Sequence, residues 1–568
     1  MPDGSVPDRR ARTALLLALP LVLLLAWATV YPNAAVVAGS FADGLGHWRA
    51  FAASPADREA LVTTLWISVA SVAAAVLVGL PLALLLARAE FPGRRLLAAV
   101  ATLPAALPPL VGVLAFLLLY GEGGVVTRVA RAALGLREGP WRLTGAWAIV
   151  FVHAYTMYVY VYLFVGAGLQ RLDPSLDEAA AGLGARPARR FARVTLPLLT
   201  PALAGAMLLV FMSSLGSYSA PYVFGGGLRV LSTQIVASRL NGDEGIAFVE
   251  TTVLAVSAVA AVLLLRWLER RGPRVATLGK GVRAERRPVA RGAGRWLVAG
   301  AAGLAVLFLV LPHLALVLVA FAKDGAWTTE LLPPVYTLDN WRRVTSDPEL
   351  VRPVRNSVAM ALLATAANVV VCGLAAYLVV LRRFRGRGLL ALLLSLPWAV
   401  PATAVAVGLA STFDRHDPLT LRWVLVGTWL ILPLAYFVRG VPLVANAVEG
   451  SLRQMDPSLE EAARGLGASW PRAMWRVILP AARPGLVAGA TLALITGLGE
   501  FVASVVLYTH RNRPISVEIL AELRALSFGG AAAYSVLLIG LVLLVTLAAR
   551  LLGDERRAPG AGRVTVTN

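Results

Sequence analysis

Residues 171–197 read RLDPSLDEAAAGLGARPARRFARVTLP, and residues 454–480 read QMDPSLEEAARGLGASWPRAMWRVILP. Aligned without gaps at a displacement of 283, sixteen of the 27 positions are identical. Each window holds a short helix with its ends built in. Asp173 is placed to cap the N-terminus, Pro174 suits the first helical position, and Asp177 and Glu178 favour the first turns. Ala179, Ala180 and Ala181 are strong helix formers with little bulk, and Gly184 is a C-terminal cap. Asp456, Pro457, Glu461, Ala462, Ala463, Gly465 and Gly467 repeat the pattern. After each helix comes an arginine-bearing stretch and then Leu-Pro (Leu196-Pro197, Leu479-Pro480), opening an apolar run. A short, small-sided helix suits docking into a groove of another protein. The plainer reading is a loop helix lying on a membrane surface, and duplication at identical spacing argues against it.

Outward from these windows, apolar runs of about 20 residues, enough to cross a bilayer, recur along the whole chain. They fall near 13–31, 61–87, 96–120, 144–169, 197–216 and 248–268, and again near 296–321, 356–381, 388–412, 423–444, 481–506 and 530–550. The expected fold is therefore an all-α integral membrane protein with about twelve transmembrane helices, arranged as two homologous six-helix halves. Three arginines, Arg266, Arg439 and Arg550, remain within spans. The N-terminus carries Arg9, Arg10 and Arg12 before its apolar run, like a signal peptide. The run is long, however, and Tyr31-Pro32-Asn33 is a poor cleavage site, so an uncleaved first helix is expected.

Composition agrees. The 568 residues are 58% hydrophobic and only 15% charged, with mean hydropathy +0.72. Soluble chains are roughly a quarter charged. Disorder and collagen-like structure are excluded. The net charge of +21 sits in short clusters between apolar spans, which points to cytoplasmic loops of a membrane protein and not to nucleic acid. Those clusters occupy alternating connections, including Arg88/Arg94/Arg95, Arg382/Arg383/Arg385/Arg387 and the nine basic residues of 269–295. The positive-inside rule then places both termini and both duplicated windows on the cytoplasmic side of the membrane. The outside loop 121–143 carries four arginines against this rule, and an amphipathic surface helix is expected there.

The remaining landmarks define the repeat. Phe91-Pro92-Gly93-Arg94 recurs as Phe384-Arg385-Gly386-Arg387, and Leu103-Pro104 with Pro108 recurs as Leu396-Pro397 with Pro401, both displaced by 293. The shift from 293 to 283 assigns ten extra residues to the first half, within 121–143. Both windows face the same side, so the repeat is parallel, with a pseudo-twofold axis along the membrane normal. The domains expected are an N-terminal helix and outer loop (1–54), a first membrane domain (55–268), a cytoplasmic linker (269–295), a seventh helix and outer loop (296–349), a second membrane domain (350–552) and a cytoplasmic tail (553–568).

The motif Glu-Ala-Ala, three residues, Gly, nine residues, Ile or Val, one residue, Leu-Pro resembles the loop signature of permease subunits in binding-protein-dependent ATP-binding-cassette importers. Here it is Glu178-Ala179-Ala180, Gly184, Val194, Leu196-Pro197, and again Glu461-Ala462-Ala463, Gly467, Val477, Leu479-Pro480. The resemblance implies a type I importer permease fold, with each loop forming a coupling helix seated in a nucleotide-binding subunit. It also implies two copies of that ATPase and an extracytoplasmic solute-binding protein as partners. Two such domains in one chain resemble the iron(III) and thiamine permeases, and the well-formed second motif favours the iron(III) type. Leu215-Gly216-Ser217-Tyr218 and Leu498-Gly499-Glu500-Phe501 resemble that group as well.

The chain offers no ATP site of its own. A phosphate-binding loop needs Gly-Lys-Ser/Thr, and the two lysines, Lys280 and Lys323, lack that context. The five histidines, including His153 and His313 in spans, show no metal-ligand spacing, and no nucleophile elbow appears. The expected cofactor, catalytic-residue and metal sets are empty. Cys372 stands alone. Pathway candidates are Ser217, Tyr218, Glu500 and Phe501. Glu500 is either a pathway carboxylate or an interfacial one, since a carboxylate in an apolar span is costly unless it faces a protein interior or cavity. Tyr155, Tyr158 and Tyr162 form one helix stripe, read as packing in preference to a solute wall. The function expected is an importer permease for a solute delivered by a binding protein, iron(III) first, with thiamine, polyamine or phosphonate as alternatives. An ion-coupled secondary transporter leaves the duplicated loops unexplained, and a membrane-embedded transferase requires paired carboxylates or His clusters that are missing.

Overall fold

The computed structural model of the chain describes residues 9–271, 287–288, 294–325, 332–456 and 458–554. Most of the basic linker, the tail beyond 554 and Pro457 therefore lie outside the described residues. Among the described residues eleven helices are long and apolar enough to cross a membrane, or twelve if the bent pair Arg387–Ala399 with Ala402–Thr412, turned by 107°, counts as one span. Along the spans Leu77, Val370 and Leu544 point outward and are exposed, as lipid-facing side chains are.

The two halves run through the same elements in the same order. Pro55–Arg88 and Pro348–Leu381 are both 34-residue helices starting on an aspartate or serine cap followed by proline. Gly145–Arg171 corresponds to Ile431–Leu452, Leu196–Leu215 to Leu479–Leu498, and Glu244–Arg271 to Phe528–Asp554. Where the first half has the helix Val125–Leu134, in the loop expected to carry the extra residues, the second half has only the short turn Pro418–Thr420. One face of that helix buries Thr127 and Arg128, while Val129 and Leu134 stay exposed.

The leading helix of each half packs on the opposite half. The N-terminal span joins a core cluster with Tyr377, Leu394 and Tyr436, and Trp27 donates to the Leu419 carbonyl at 2.9 Å. Conversely Gly294–Ala320 places Leu309 and Leu316 in the core of the first half, where Tyr155 donates its hydroxyl to the Leu309 carbonyl at 2.8 Å. Alternation of direction along the spans brings both described termini and both duplicated loops to one end of the bundle. The two-residue parallel pairing of Ala89–Glu90 with Arg287–Pro288 puts part of the linker at that same end.

Four spans depart from the sequence expectation. The spans expected at 96–120 and 388–412 are each broken near mid-length. Leu107 and Val400 are extended (ψ 121° and 124°) because each precedes a proline, Pro108 and Pro401, whose ring disfavours helical backbone in its neighbour. The span expected at 423–444 is Ile431–Leu452, because residues up to Leu430 are held in a turn by tertiary bonds, including Asn512 Nδ2 to the Thr428 carbonyl at 2.8 Å. The span expected at 481–506 stops at Leu498. Each duplicated loop also ends in a π-turn, Phe191–Thr195 and Met474–Ile478, immediately before Leu-Pro. Proline cannot donate to the carbonyl four residues back and its ring collides with it, and the widened turn relieves both problems.

Candidate functional site

At the loop end, the coupling candidates form two matching helices, Pro174–Gly182 and Ser458–Gly465. Asp173 Oδ1 accepts the Ser175 N–H at 2.9 Å, and Asp456 Oδ1 accepts the Ser458 N–H at 2.9 Å. These backbone bonds hold both aspartates below the usual carboxylate range. The helices stop at Gly184 (φ +77°) and Gly467 (φ +85°), left-handed positions that favour glycine. The amide three residues beyond each helix closes back on it, Ala185 to the Ala180 carbonyl at 3.0 Å and Ala468 to the Ala463 carbonyl at 3.1 Å.

The outward faces coincide residue for residue. Glu178 and Glu461, Ala179 and Ala462, and Gly184 and Gly467 are exposed, while Ala180 and Ala463 are half-buried. Between the glycines stand Leu183 and Leu466, each 90% exposed. Sequence reasoning passed over these two leucines, whose signal was only an apolar residue flanked by glycines in both copies. Equivalent leucines this exposed in both copies are candidates for contact with another protein.

The second group lies at a seam between the halves. Gly216 faces Pro401, and Gly499 faces Pro108 so closely that a β-carbon there would stand 2.9 Å from the Pro108 β-carbon. Each glycine thus meets the proline that breaks the opposite half's span. One residue pair further on, Tyr218 and Phe501 touch, with ring centroids 5.8 Å apart. These are equivalent positions of the repeat, and equivalent residues touch only at the pseudo-twofold axis. Tyr222 stacks on Tyr218 at 5.4 Å, and Arg524 Nε donates to the Tyr222 hydroxyl at 2.8 Å.

Ser217 and Glu500, also equivalent, each turn into their own half. Ser217 Oγ is 3.0 Å from His153 Nε2, and the other ring nitrogen lies 2.9 Å from Ser71 Oγ and 3.2 Å from Ser214 Oγ. His153 is thus held in a buried hydrogen-bonded set with three serines. Glu500 is buried; its Oε2 accepts from Arg439 Nε at 2.6 Å, and its Oε1 accepts the Ala503 N–H at 3.0 Å. The carboxylate is neutralised by Arg439 and presents no open negative wall. In the first half Thr156 takes the place of Arg439, so this charge pair belongs to one half alone. Of the tyrosine stripe, Tyr155 and Tyr158 are buried with their hydroxyls bound to backbone carbonyls, Leu309 and Ala101, a packing arrangement. Among the described residues no cluster of three or more His, Cys, Asp or Glu could hold a metal ion.

Comparison with known proteins places this geometry. Residues 79–272 and 369–557 both match the family described as "Binding-protein-dependent transport system inner membrane component". A probable ABC transporter permease protein, y4fN of Sinorhizobium fredii, is 28% identical over 82% of this chain and 81% of its own length. The ferric transport system permease protein FbpB of Actinobacillus pleuropneumoniae is 26% identical over 80% of this chain, which spans 65% of that protein. The molybdenum transport system permease protein ModB of Mycobacterium bovis is 32% identical over 37% of this chain and 79% of its own length.

Proposed function

Since the chain belongs to the family of binding-protein-dependent transport system inner membrane components, with the domain present twice in one polypeptide, we propose that its two exposed loop helices are the sites through which ATP hydrolysis drives transport. It is a multi-pass permease subunit of an ABC importer and not itself an enzyme; ATPase and binding-protein partners follow from the family. The finer reading is as follows. Glu178, Ala179, Ala180 and Gly184, and Glu461, Ala462, Ala463 and Gly467, form the docking surfaces, with Leu183 and Leu466 as their apolar anchors. The coincidence of the two exposed faces supports occupancy by two copies of one ATPase subunit. The loop end, and with it both termini, is cytoplasmic, as the density of basic residues there supports. The permease domains are 55–268 and 350–552, joined through the linker 269–295.

Solute crosses along the pseudo-twofold axis. Tyr218 and Phe501 meet at the point where the halves join and close the route there, with Ser217 and Glu500 behind them, each bonded within its own half. Alternating access is rocking of the two halves about this seam. The cargo we propose is iron(III). The support is the match to a ferric permease over most of this chain, whereas the molybdenum permease matches a length suited to one half.

The observation that carries the reading is the pair of matching exposed leucine-tipped helices at one end of a twelve-span bundle. To test it, Leu183→Cys and Leu466→Cys are made in a Cys372→Ala background and treated with a membrane-impermeant thiol reagent. Both cysteines are expected to react in inverted vesicles, to resist labelling in intact cells, and to be protected when the ATPase subunit is added. Labelling in intact cells, or labelling unaffected by the ATPase, overturns it.

A further inference from the structure

Asp177 and Glu460 are equivalent positions, each one residue before the outward glutamate of its coupling helix. Each finds an arginine, but the two arginines are not equivalent. In the first loop Arg190 Nη1 lies 3.5 Å from Asp177 Oδ2, so the pair closes within the loop itself, with Asp177 33% exposed. The second loop has Ala473 where Arg190 stands, and that bond is closed to it. Its Glu460 is instead buried and paired with Arg382, the residue just past the end of the helix Pro348–Leu381. The first half has Ala89 in the place of Arg382.

Two aromatic side chains complete the second arrangement. Arg382 also donates to the Tyr377 hydroxyl, with its guanidinium carbon 5.0 Å from that ring's centroid. Trp470 Nε1 donates to the same hydroxyl oxygen at 3.0 Å. The first-half counterparts are Leu84 and Pro187, which can make neither bond. What the first half has is Arg88 Nη2 to Thr195 Oγ1 at 3.0 Å, and this reaches the π-turn beyond the loop, not the coupling helix.

We propose that Tyr377, Arg382, Glu460 and Trp470 form a strut that fixes the second coupling helix to the span Pro348–Leu381, while the first coupling helix moves with its own loop, so that the two ATPase contacts drive the permease unequally. This rests on the docking reading above. The mechanical consequence follows from packing. Pro348–Leu381 lies against Ile431–Leu452 and Leu479–Leu498, which carry Arg439 and lead into the Glu500 turn. A displacement of the second loop therefore travels through a buried, charge-assisted contact into the half holding the seam's ion pair. The same displacement of the first loop is partly absorbed within the loop, where Asp177 and Arg190 pair with each other and not with a span. These four are positioning residues: Glu460 and Tyr377 are buried, and Arg382 and Trp470 act by bonding to the Tyr377 hydroxyl.

The test uses the full chain with its ATPase subunit and binding protein in proteoliposomes. It measures ATPase copurification and the stimulation of ATP hydrolysis by the binding protein. Glu460→Gln and Tyr377→Phe are expected to retain copurification and lose stimulation by roughly ten- to a hundredfold, the effect of a lost charged hydrogen bond. Asp177→Asn is expected to leave both near wild type. The exchange Arg382→Glu with Glu460→Arg is expected to recover part of the stimulation, which a merely destabilised fold would not do. Equal effects of Asp177→Asn and Glu460→Gln, unchanged stimulation in Glu460→Gln, no recovery in the exchange variant, or lost copurification in Glu460→Gln overturns the strut. Failure of the wild-type chain to retain the ATPase overturns the docking reading itself.

Discussion

Gly467→Val isolates the conformation of the second coupling loop from everything around it. Gly467 has φ +85°, and no atom lies within 4 Å of where a β-carbon would stand, so the substitution meets no neighbour. Its cost is conformational alone, about 1–2 kcal/mol for an L-residue held left-handed, with a β-branched residue at the upper end. Relief by moving out of that region breaks the closing bonds from Gly467 to the Arg464 carbonyl at 3.0 Å and from Ala468 to the Ala463 carbonyl at 3.1 Å, and swings Leu466 away. Either way the docking-competent loop is depopulated by a factor of roughly 5–30. Gly465→Ala is the control: Gly465 is helical and equally unobstructed, so alanine there is expected to be neutral or stabilising by up to about 1 kcal/mol. The assay is titration of purified permease with its ATPase subunit, beside a thermal melt of the permease. The expected result is affinity lowered by that factor in Gly467→Val, and likewise in Gly184→Val, with an unchanged melt. Wild-type affinity in Gly467→Val, or equal weakening in Gly465→Ala, would refute the reasoning.

Three further outcomes are expected. Gly499→Ala should impair transport far more than Gly216→Ala, because a β-carbon meets Pro108 at 2.9 Å in the first case and Pro401 at 3.7 Å in the second; uptake assays on the pair check this. Neutralising one member of the buried ion pair, by Glu500→Gln or Arg439→Met, should destabilise the protein by about 3–5 kcal/mol by stranding the other charge, and the double variant should recover much of the loss in a melt. Since Asp173 and Asp456 are held below the usual carboxylate range, their caps hold above it and are lost as pH falls through their depressed values; hydrogen exchange at Ser175 and Ser458, corrected for intrinsic rate, should accelerate on acidification, and Asp→Asn at both caps should flatten that dependence.

The legible features of this fold are local. A span declares itself because a bilayer demands an uninterrupted apolar run, and a cap because aspartate, proline and glycine act within a few residues of themselves. Asp173, Gly184 and their copies accordingly sit where their spacing puts them. Pro108 and Pro401 were visible as landmarks, yet reading them as breaks required weighing the neighbour before each proline, Leu107 and Val400, against the apolar run. Arg439 and Glu500 were both conspicuous as charges within spans, but they stand 61 residues apart and no periodicity links them. The crossing of each half's first helix onto the other half left no local trace. The Ile431 boundary depends on Asn512, a residue more than 80 positions away. Leu183 and Leu466 looked ordinary until their exposure could be compared.

The central claim is that two exposed loops couple a separate ATPase to movement of solute through the seam. The most direct measurement is uptake of radioactive iron(III) into proteoliposomes containing the permease and its ATPase subunit, with the binding protein outside and ATP enclosed. The account predicts uptake that requires all three proteins and hydrolysable ATP, and that is abolished in Gly184→Val/Gly467→Val while the protein remains inserted. Uptake that persists without ATP or without the ATPase, or that survives in the double variant, would contradict it.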